Sequence, residues 1–409
     1  TEKAKSKTPK AKTKEQADEL LTILADKEHD INERYQAAKR IHSFILNLQS
    51  QEDRIKYATK FLSNHTIKDE KIRGVFIDFM CKFATSPKFD GLNSFQVVLT
   101  PFVQLLTFAI SEKGKKTSNT IKRIVYGFAQ IYPVTLARLC RAWKGSKSKH
   151  NEEDSDDDDE GEQDISKTFP KYESYKMIYE VSQKIVDNIL LLLPAKKPEV
   201  RDYAIKFAKS IILHTTSTAV SKDKNRFSLV CIKPGHPLLN EQQLTSKAKS
   251  WLKALTDALN NSRKVAGAEQ NAHLFTKENC ENAIKGLFGI AKERPRLRTP
   301  VLNSLKQWVE DNYEQQGVRR AAYKHNQNQL KEGFKWFLFR DGDCRQHHKS
   351  CLQCIKLLCK EDLSEYREIN KQISVRLKQA ASNDKKHIAT QKERTRQREI
   401  QLLLHLPDE

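Results

Sequence analysis

Residues 119–143 read NTIKRIVYGFAQIYPVTLARLCRAW, with apolar side chains at Ile121, Ile124, Val125, Phe128, Ile131 and Tyr132, and again at Leu136, Leu139, Cys140 and Trp143. Spacings of three and four put each set on one face of an α-helix. Pro133 lies between the two sets, and proline lacks an amide hydrogen and crowds the preceding turn. The segment therefore reads as a helix that stops at Pro133, followed by a partner helix. Such a pair cannot cover its apolar stripe alone, so further pairs must stack on it.

The same pattern extends in both directions. Upstream lie Ile31, Tyr35, Ala38, Ile41, Ile45 and Leu48, then Ile72, Val75, Phe76, Phe79, Met80 and Phe83. Thr100 and Pro101 have the form of an N-cap and a first-turn proline, opening a helix with Phe102, Leu105, Leu106 and Ala109 inward. Downstream come Met177, Val181, Ile185, Ile189 and Leu192 as far as Pro194, then Val200, Ala204, Phe207, Ala208, Ile211 and Ile212. Trp251 to Leu259, Ala283 to Ala291, Leu297 to Val309 and Ala322 to Leu338 continue the series, and nothing reads as a strand. The expectation is an all-α stack of antiparallel helix pairs over 17–360.

Three stretches fall outside the stripes. Residues 1–16 hold six lysines and almost no apolar side chain, the composition of a disordered basic tail. Residues 152–164 place ten carboxylates in thirteen positions, so 146–169 is expected as a disordered acidic insertion in the array. Ser155 within it is a candidate site for an acid-directed kinase, although many serines in such runs are never regulatory. An irregular loop is expected at about 216–239, and 361–409 reads as an exposed basic helical segment.

At 409 residues and 38% hydrophobic content the chain exceeds one globular core. Its 13 glycines and 12 prolines are too few for a many-turned β protein. A net charge of +21 calls for an acidic partner: nucleic acid, phosphopeptide, acidic protein face or anionic membrane. The longest apolar run, Ile189 to Leu193, is far below the roughly 20 residues that span a bilayer. Eight scattered cysteines fit a reducing compartment. The reading is a soluble intracellular protein without a membrane segment, and a start at Thr1 suggests a piece of a longer chain.

Catalytic signatures are missing: no phosphate loop, no glycine-flanked serine, no paired carboxylates on a turn. No catalytic residue and no cofactor are expected. Cys344, His347, His348, Cys351, Cys354 and Cys359 could suggest zinc. However, Cys351, Leu352, Ile355, Leu358 and Cys359 share the inward face of a helix, where free cysteine acts as a small apolar residue. No metal is expected.

Four segments resemble the amino-terminal domains of the symplekin family. They are the quoted 119–143 stretch, VRDYAIKFAK from Val200, the turn Gly235-His236-Pro237-Leu238, and AIKGLFGIAKERP from Ala283. They occur in the family's order over about residues 30–345, with the acidic run and the basic stretch after 371 as departures. The resemblance implies a HEAT or armadillo-like α-solenoid. Its implied role is a non-catalytic nuclear scaffold of messenger-RNA cleavage and polyadenylation, in contact with other subunits of that machinery. It further implies binding to a phosphatase of the RNA polymerase II C-terminal repeats. Lys206 matches the lysine of the family's Ala-Ile-Lys-Phe helix, close to where the resemblance implies that the phosphatase docks, and Asp202 lies one turn before it. Lys122 and Tyr126, exposed by the same periodicity, are further candidates. The alternatives are another nuclear HEAT scaffold, or an adaptor that holds RNA non-specifically through its basic surfaces.

Overall fold

The computed structural model describes residues 13–64, 69–86, 92–111, 117–143, 169, 171–219, 226–260, 275–313, 318–339, 347–360 and 363–404. Its helices are α1 (Lys14–Ala25), α2 (Ile31–Asn47), α3 (Gln51–Leu62), α4 (Glu70–Thr85), α5 (Leu92–Ser111), α6 (Thr117–Ala142) and α7 (Tyr172–Leu190). There follow α8 (Pro198–Thr215), α9 (Glu241–Asn260), α10 (Lys277–Glu293), α11 (Pro295–Tyr313), α12 (Val318–Phe339), α13 (His348–Leu358) and α14 (Leu363–Leu404). Among the described residues there is no strand. The chain divides into two compact units, Thr1–Val301 and Leu302–Glu409, and the division falls inside α11. The basic tail over 1–12 and all of 146–168, including Ser155, lie outside the described residues. The tail ends earlier than expected: Thr13 caps a helix that already begins at Lys14. Ala17, Leu21 and Leu24 bury its inner face.

In the first unit, α2, α4, α6, α8 and α10 lie successively side by side, while α3, α5 and α7 form a second row against them. This is an all-α solenoid of antiparallel pairs. Side-chain oxygens of Asp30, Ser50 and Asp69 start α2, α3 and α4 by accepting first-turn amides. Between the rows Phe61, Phe76, Phe79 and Phe83 pack in one aromatic cluster, with centroid separations of 4.7 to 5.2 Å. In two places the buried stripe shifts by a residue or more. Ile31 and Met177 are exposed, while Phe44 and Ile178 are buried.

Two proline breaks expected from the sequence do not occur. Pro133 is interior to α6 and Pro101 is interior to α5. A mid-helix proline costs about 3 kcal/mol. Packing offsets that cost, because the buried positions keep one helical register across each proline. Phe128, Ile131 and Tyr132 continue into Leu136, Leu139 and Cys140, as Phe95, Val98 and Leu99 continue into Phe102, Leu105 and Leu106. The uninterrupted α5 is, over Ser94–Ser111, long and apolar enough to cross a membrane by length and composition. Its apolar stripe is instead covered by α3, α4, α6 and α7.

The turn at Gly235 and His236 closes the far end of α6. Gly235 has φ +75°, a region that favours glycine. Nε2 of His236 lies 3.1 Å from the carbonyl oxygen of Leu139, and Nδ1 accepts the amides of Leu238 and Leu239, each at 3.1 Å. This bonding fixes a neutral imidazole, donating through Nε2, between the rings of Trp143 and Phe169. Burial holds its pKa below the ordinary histidine value. Burial likewise takes His42 of α2 down to about 4.

The second unit is built from α12, α13 and α14. α13 lies against α12 and the start of α14, with Cys351, Cys354, Ile355, Leu358 and Cys359 buried. Leu352, expected inward, is only half-buried and Cys354 takes that place. Burial raises the thiol pKa values of Cys354 and Cys359, that of Cys359 to about 11, so both stay protonated and pack as apolar groups.

Two outcomes follow for stability. A Cβ at Gly127 would sit 2.2 Å from Sγ of Cys81 where α6 crosses α4. Gly127→Ala is therefore expected to cost about 1–3 kcal/mol in urea unfolding. Second, the unfolded chain takes up protons at His42 and His236 below about pH 6.5, whereas the folded chain resists doing so. Stability should accordingly be full above that pH and decline toward pH 4, with a shallower decline in His236→Gln.

Candidate functional site

The exposed edges of α6, α8 and α10 form a continuous ridge in the first unit. α8 starts with Pro198 in its first turn and turns Val200, Arg201, Ala204, Ile205, Phe207, Ala208, Ile211 and Ile212 inward. Its remaining face carries Asp202, Tyr203, Lys206, Lys209 and Ser210. The helix is pinned below by Arg201, which is buried and donates from Nε to Oδ1 of Asn279 at 3.0 Å. Asn279 completes the capping box of α10 with Thr276, so one buried contact aligns α8 with α10.

On the open side Nζ of Lys206 meets Oδ2 of Asp202 at 2.7 Å. Oδ1 of the same carboxylate accepts from Nδ2 of Asn282 on α10 at 2.5 Å. Asp202 is thus held from two helices while the Lys206 side chain remains 48% exposed. The hydrogen bond to Asp202 raises the pKa of Lys206 above the ordinary lysine value. The ring of Tyr203 packs edge-on against Tyr126 of α6 at 5.9 Å, and both phenols act electrostatically on Lys206. The structure therefore brings three expected residues, Asp202, Lys206 and Tyr126, into one cluster. Lys122 is exposed one turn earlier on α6, outside that cluster.

Sequence reasoning missed Tyr203, Asn282 and the neighbouring cleft. Tyr203 adjoins Asp202 and was within reach of the same periodicity. Asn282 becomes relevant only when α10 docks. The cleft, about 730 Å³, is lined by Tyr126, Ala129, Gln130 and Pro133 of α6, Ser210 and His214 of α8, Thr85, Val134 and Arg226. Pro133 has no amide to offer Ala129, so the helix leaves a carbonyl without its usual donor beside the cleft. On α10, Gly286 and Gly289 leave room for the Lys209 side chain, which passes 3.1 to 3.9 Å from where their Cβ atoms would be. Tyrosines beside a fixed charge pair suit recognition of a protein surface. Among the described residues no group of three His, Cys, Asp or Glu side chains is placed to hold a metal ion.

Stacked helix pairs with an exposed ridge of this kind define a helical-repeat scaffold domain. Residues 117–387 match the family profile described as Symplekin/PTA1 N-terminal, and the chain belongs to that family. The match differs from the range of 30–345 expected above, since it begins at α6 and takes in the first half of α14. Membership supports a scaffold role in mRNA 3′-end processing. No curated protein sequence matches the chain. Solved structures with similar folds include an engineered protein (10% identity, 84% of this chain and 97% of that chain, TM-score 0.35). Others are a designed armadillo repeat protein (12%, 83% and 98%, TM-score 0.33) and a complex of Kap95p with RanGDP (11%, 88% and 43%, TM-score 0.29).

Replacing Asp202 with asparagine removes the charge that supports Lys206. The pKa of Lys206 should then fall toward the ordinary lysine value, as followed by NMR titration of the lysine side chains.

Proposed function

We propose that this domain is a non-catalytic nuclear scaffold of the cleavage and polyadenylation machinery. It binds and stimulates a phosphatase of the RNA polymerase II C-terminal domain, and it contacts other subunits of the machinery. The reading rests on family membership together with one observation: Lys206 is held upright and charged by Asp202, beside Tyr203 and Tyr126, on an exposed ridge. A protein face offering a carboxylate to Lys206 and an apolar edge to the tyrosines would gain most where water is excluded. Within the scaffold the pair itself is worth only about 0.3–0.5 kcal/mol, as expected of an exposed i,i+4 contact. Its value lies in binding.

Lys206→Glu should weaken phosphatase capture by about tenfold or more, equivalent to roughly 1.4 kcal/mol, while urea unfolding changes little. Phosphate release from a phosphorylated repeat peptide, with and without the domain, reports stimulation. Unchanged capture by a folded Lys206→Glu protein would remove Lys206 from the interface. Failure of the parent domain to bind the phosphatase would defeat the reading as a whole.

A further inference from the structure

Helix α14 runs for 42 residues, about 63 Å at ~1.5 Å per residue. Among the residues whose side chains are described, only its beginning is engaged. Ile369 and Ile373 are buried, Glu365 is bridged by Lys331 and Lys335 of α12 at 2.8 and 2.6 Å, and Arg376 donates to the Phe339 carbonyl. From Lys378 onward, every residue whose side chain is described is exposed.

Lysine recurs at 371, 378, 385 and 392, with arginine four residues before the first and four after the last, at Arg367 and Arg396. Seven residues fall about 20° short of two full helical turns. These six positions therefore lie within an arc of about 60° over about 43 Å of helix. The arc is opposite the side that buries Ile369 and Ile373, and no acidic residue falls within it. Arg367, Lys371, Lys378, Lys392 and Arg396 are exposed, and among the described residues none of the five has an ion-pair partner. Arg367 with Lys371, and Lys392 with Arg396, set like charges one turn apart, a repulsion that a bound polyanion relieves.

We propose that this stripe binds the phosphate backbone of single-stranded RNA without sequence selectivity. A regular row of unpaired cations needs only a polyanion. A protein partner would need aromatic or apolar anchors, and residues 377–397 contain no Phe, Tyr or Trp, one histidine, His387, and among the described side chains a single exposed large apolar one, Ile388. Base readout would need several aromatics set for stacking, and the lone His387 does not supply them. The last part of the stripe lies beyond the family match, which ends at 387. The proposal uses none of the residues assigned to phosphatase binding and stands or falls separately.

The test uses the full 409-residue chain and a fluorescent oligouridine, with anisotropy read across salt. Lys371→Gln, Lys378→Gln and Lys392→Gln are combined in one variant. The control combines Lys249→Gln, Lys386→Gln and Arg394→Gln, which removes equal charge off the stripe. The slope of log affinity against log salt should become shallower by about 2 in the stripe variant, at ~0.7 for each lost contact. The control should change by less than half as much. Equal loss in both variants, or a parent slope shallower than about 2, overturns the stripe as the RNA site. So does tighter binding of an oligoglutamate of matched length, which assigns the stripe to an acidic protein. Circular dichroism of both variants verifies that α14 is retained.

Discussion

Each helix in the row α2, α4, α6, α8, α10, and α12 in the second unit, ends on a carbonyl that its own backbone cannot pair, and in every case a side chain from later in the chain supplies the donor. Arg54 reaches the Leu48 carbonyl at the end of α2, and Arg138 reaches Ser86 after α4. His236 reaches Leu139 in α6, Arg294 reaches Leu213 in α8, and Arg298 reaches Ala291 in α10. Arg376 does the same for Phe339 of α12. The five arginines set cations at helix C-termini, opposing the negative end of the dipole, and hydrogen bonds to charged groups contribute about 1.5–3 kcal/mol each, while the neutral His236 donates an uncharged bond. The first unit depends on this arrangement because apolar stripes alone would let the pairs slide. The donors fix where each helix stops against its neighbour. They also account for part of the basic composition, since these arginines serve the fold and are not on offer to a partner.

The apolar stripes made the helical stack readable from sequence, and they could also have corrected the reading of the two prolines. Thr100-Pro101 and Pro133 look like boundaries when judged residue by residue. The periodic positions on either side of each keep the same phase, which is the signature of one continuous helix. The local rule for proline failed because burial of residues such as Phe102 and Tyr132 outweighs one missing hydrogen bond. The ridge was partly legible. Removing the inward positions of α8 leaves Asp202 and Lys206 outward, and the structure places them there. The links from Asp202 to Asn282 and from Tyr203 to Tyr126 join different helices, and no periodicity within a single helix contains them.

The two exposed features offer unlike chemistry. On the ridge a carboxylate fixes a lysine and two phenol rings stand alongside, so position and shape matter. On α14 the stripe repeats its cations, and Arg367, Lys371, Lys378, Lys392 and Arg396 have no ion-pair partner among the described residues, so charge density matters more than shape. Such surfaces differ in their response to salt: a fixed, partly desolvated cluster is screened much less than an open row of charges. Under the two proposals, binding at the ridge and binding at the stripe would differ in their dependence on ionic strength.

The direction of the carbonyl contacts carries a consequence for synthesis. All six donors lie downstream of the helix ends they complete, and for α6 the separation is 97 residues. A chain emerging from the ribosome in order exposes each of these helix ends before its donor has been made. The array should settle in a wave that trails elongation, with α6 waiting through the longest stretch of chain for its donor. A pause after α6 would leave the midpoint of the stack open to chaperones for as long as it takes to translate the acidic segment, α7, α8 and the turn that bears His236.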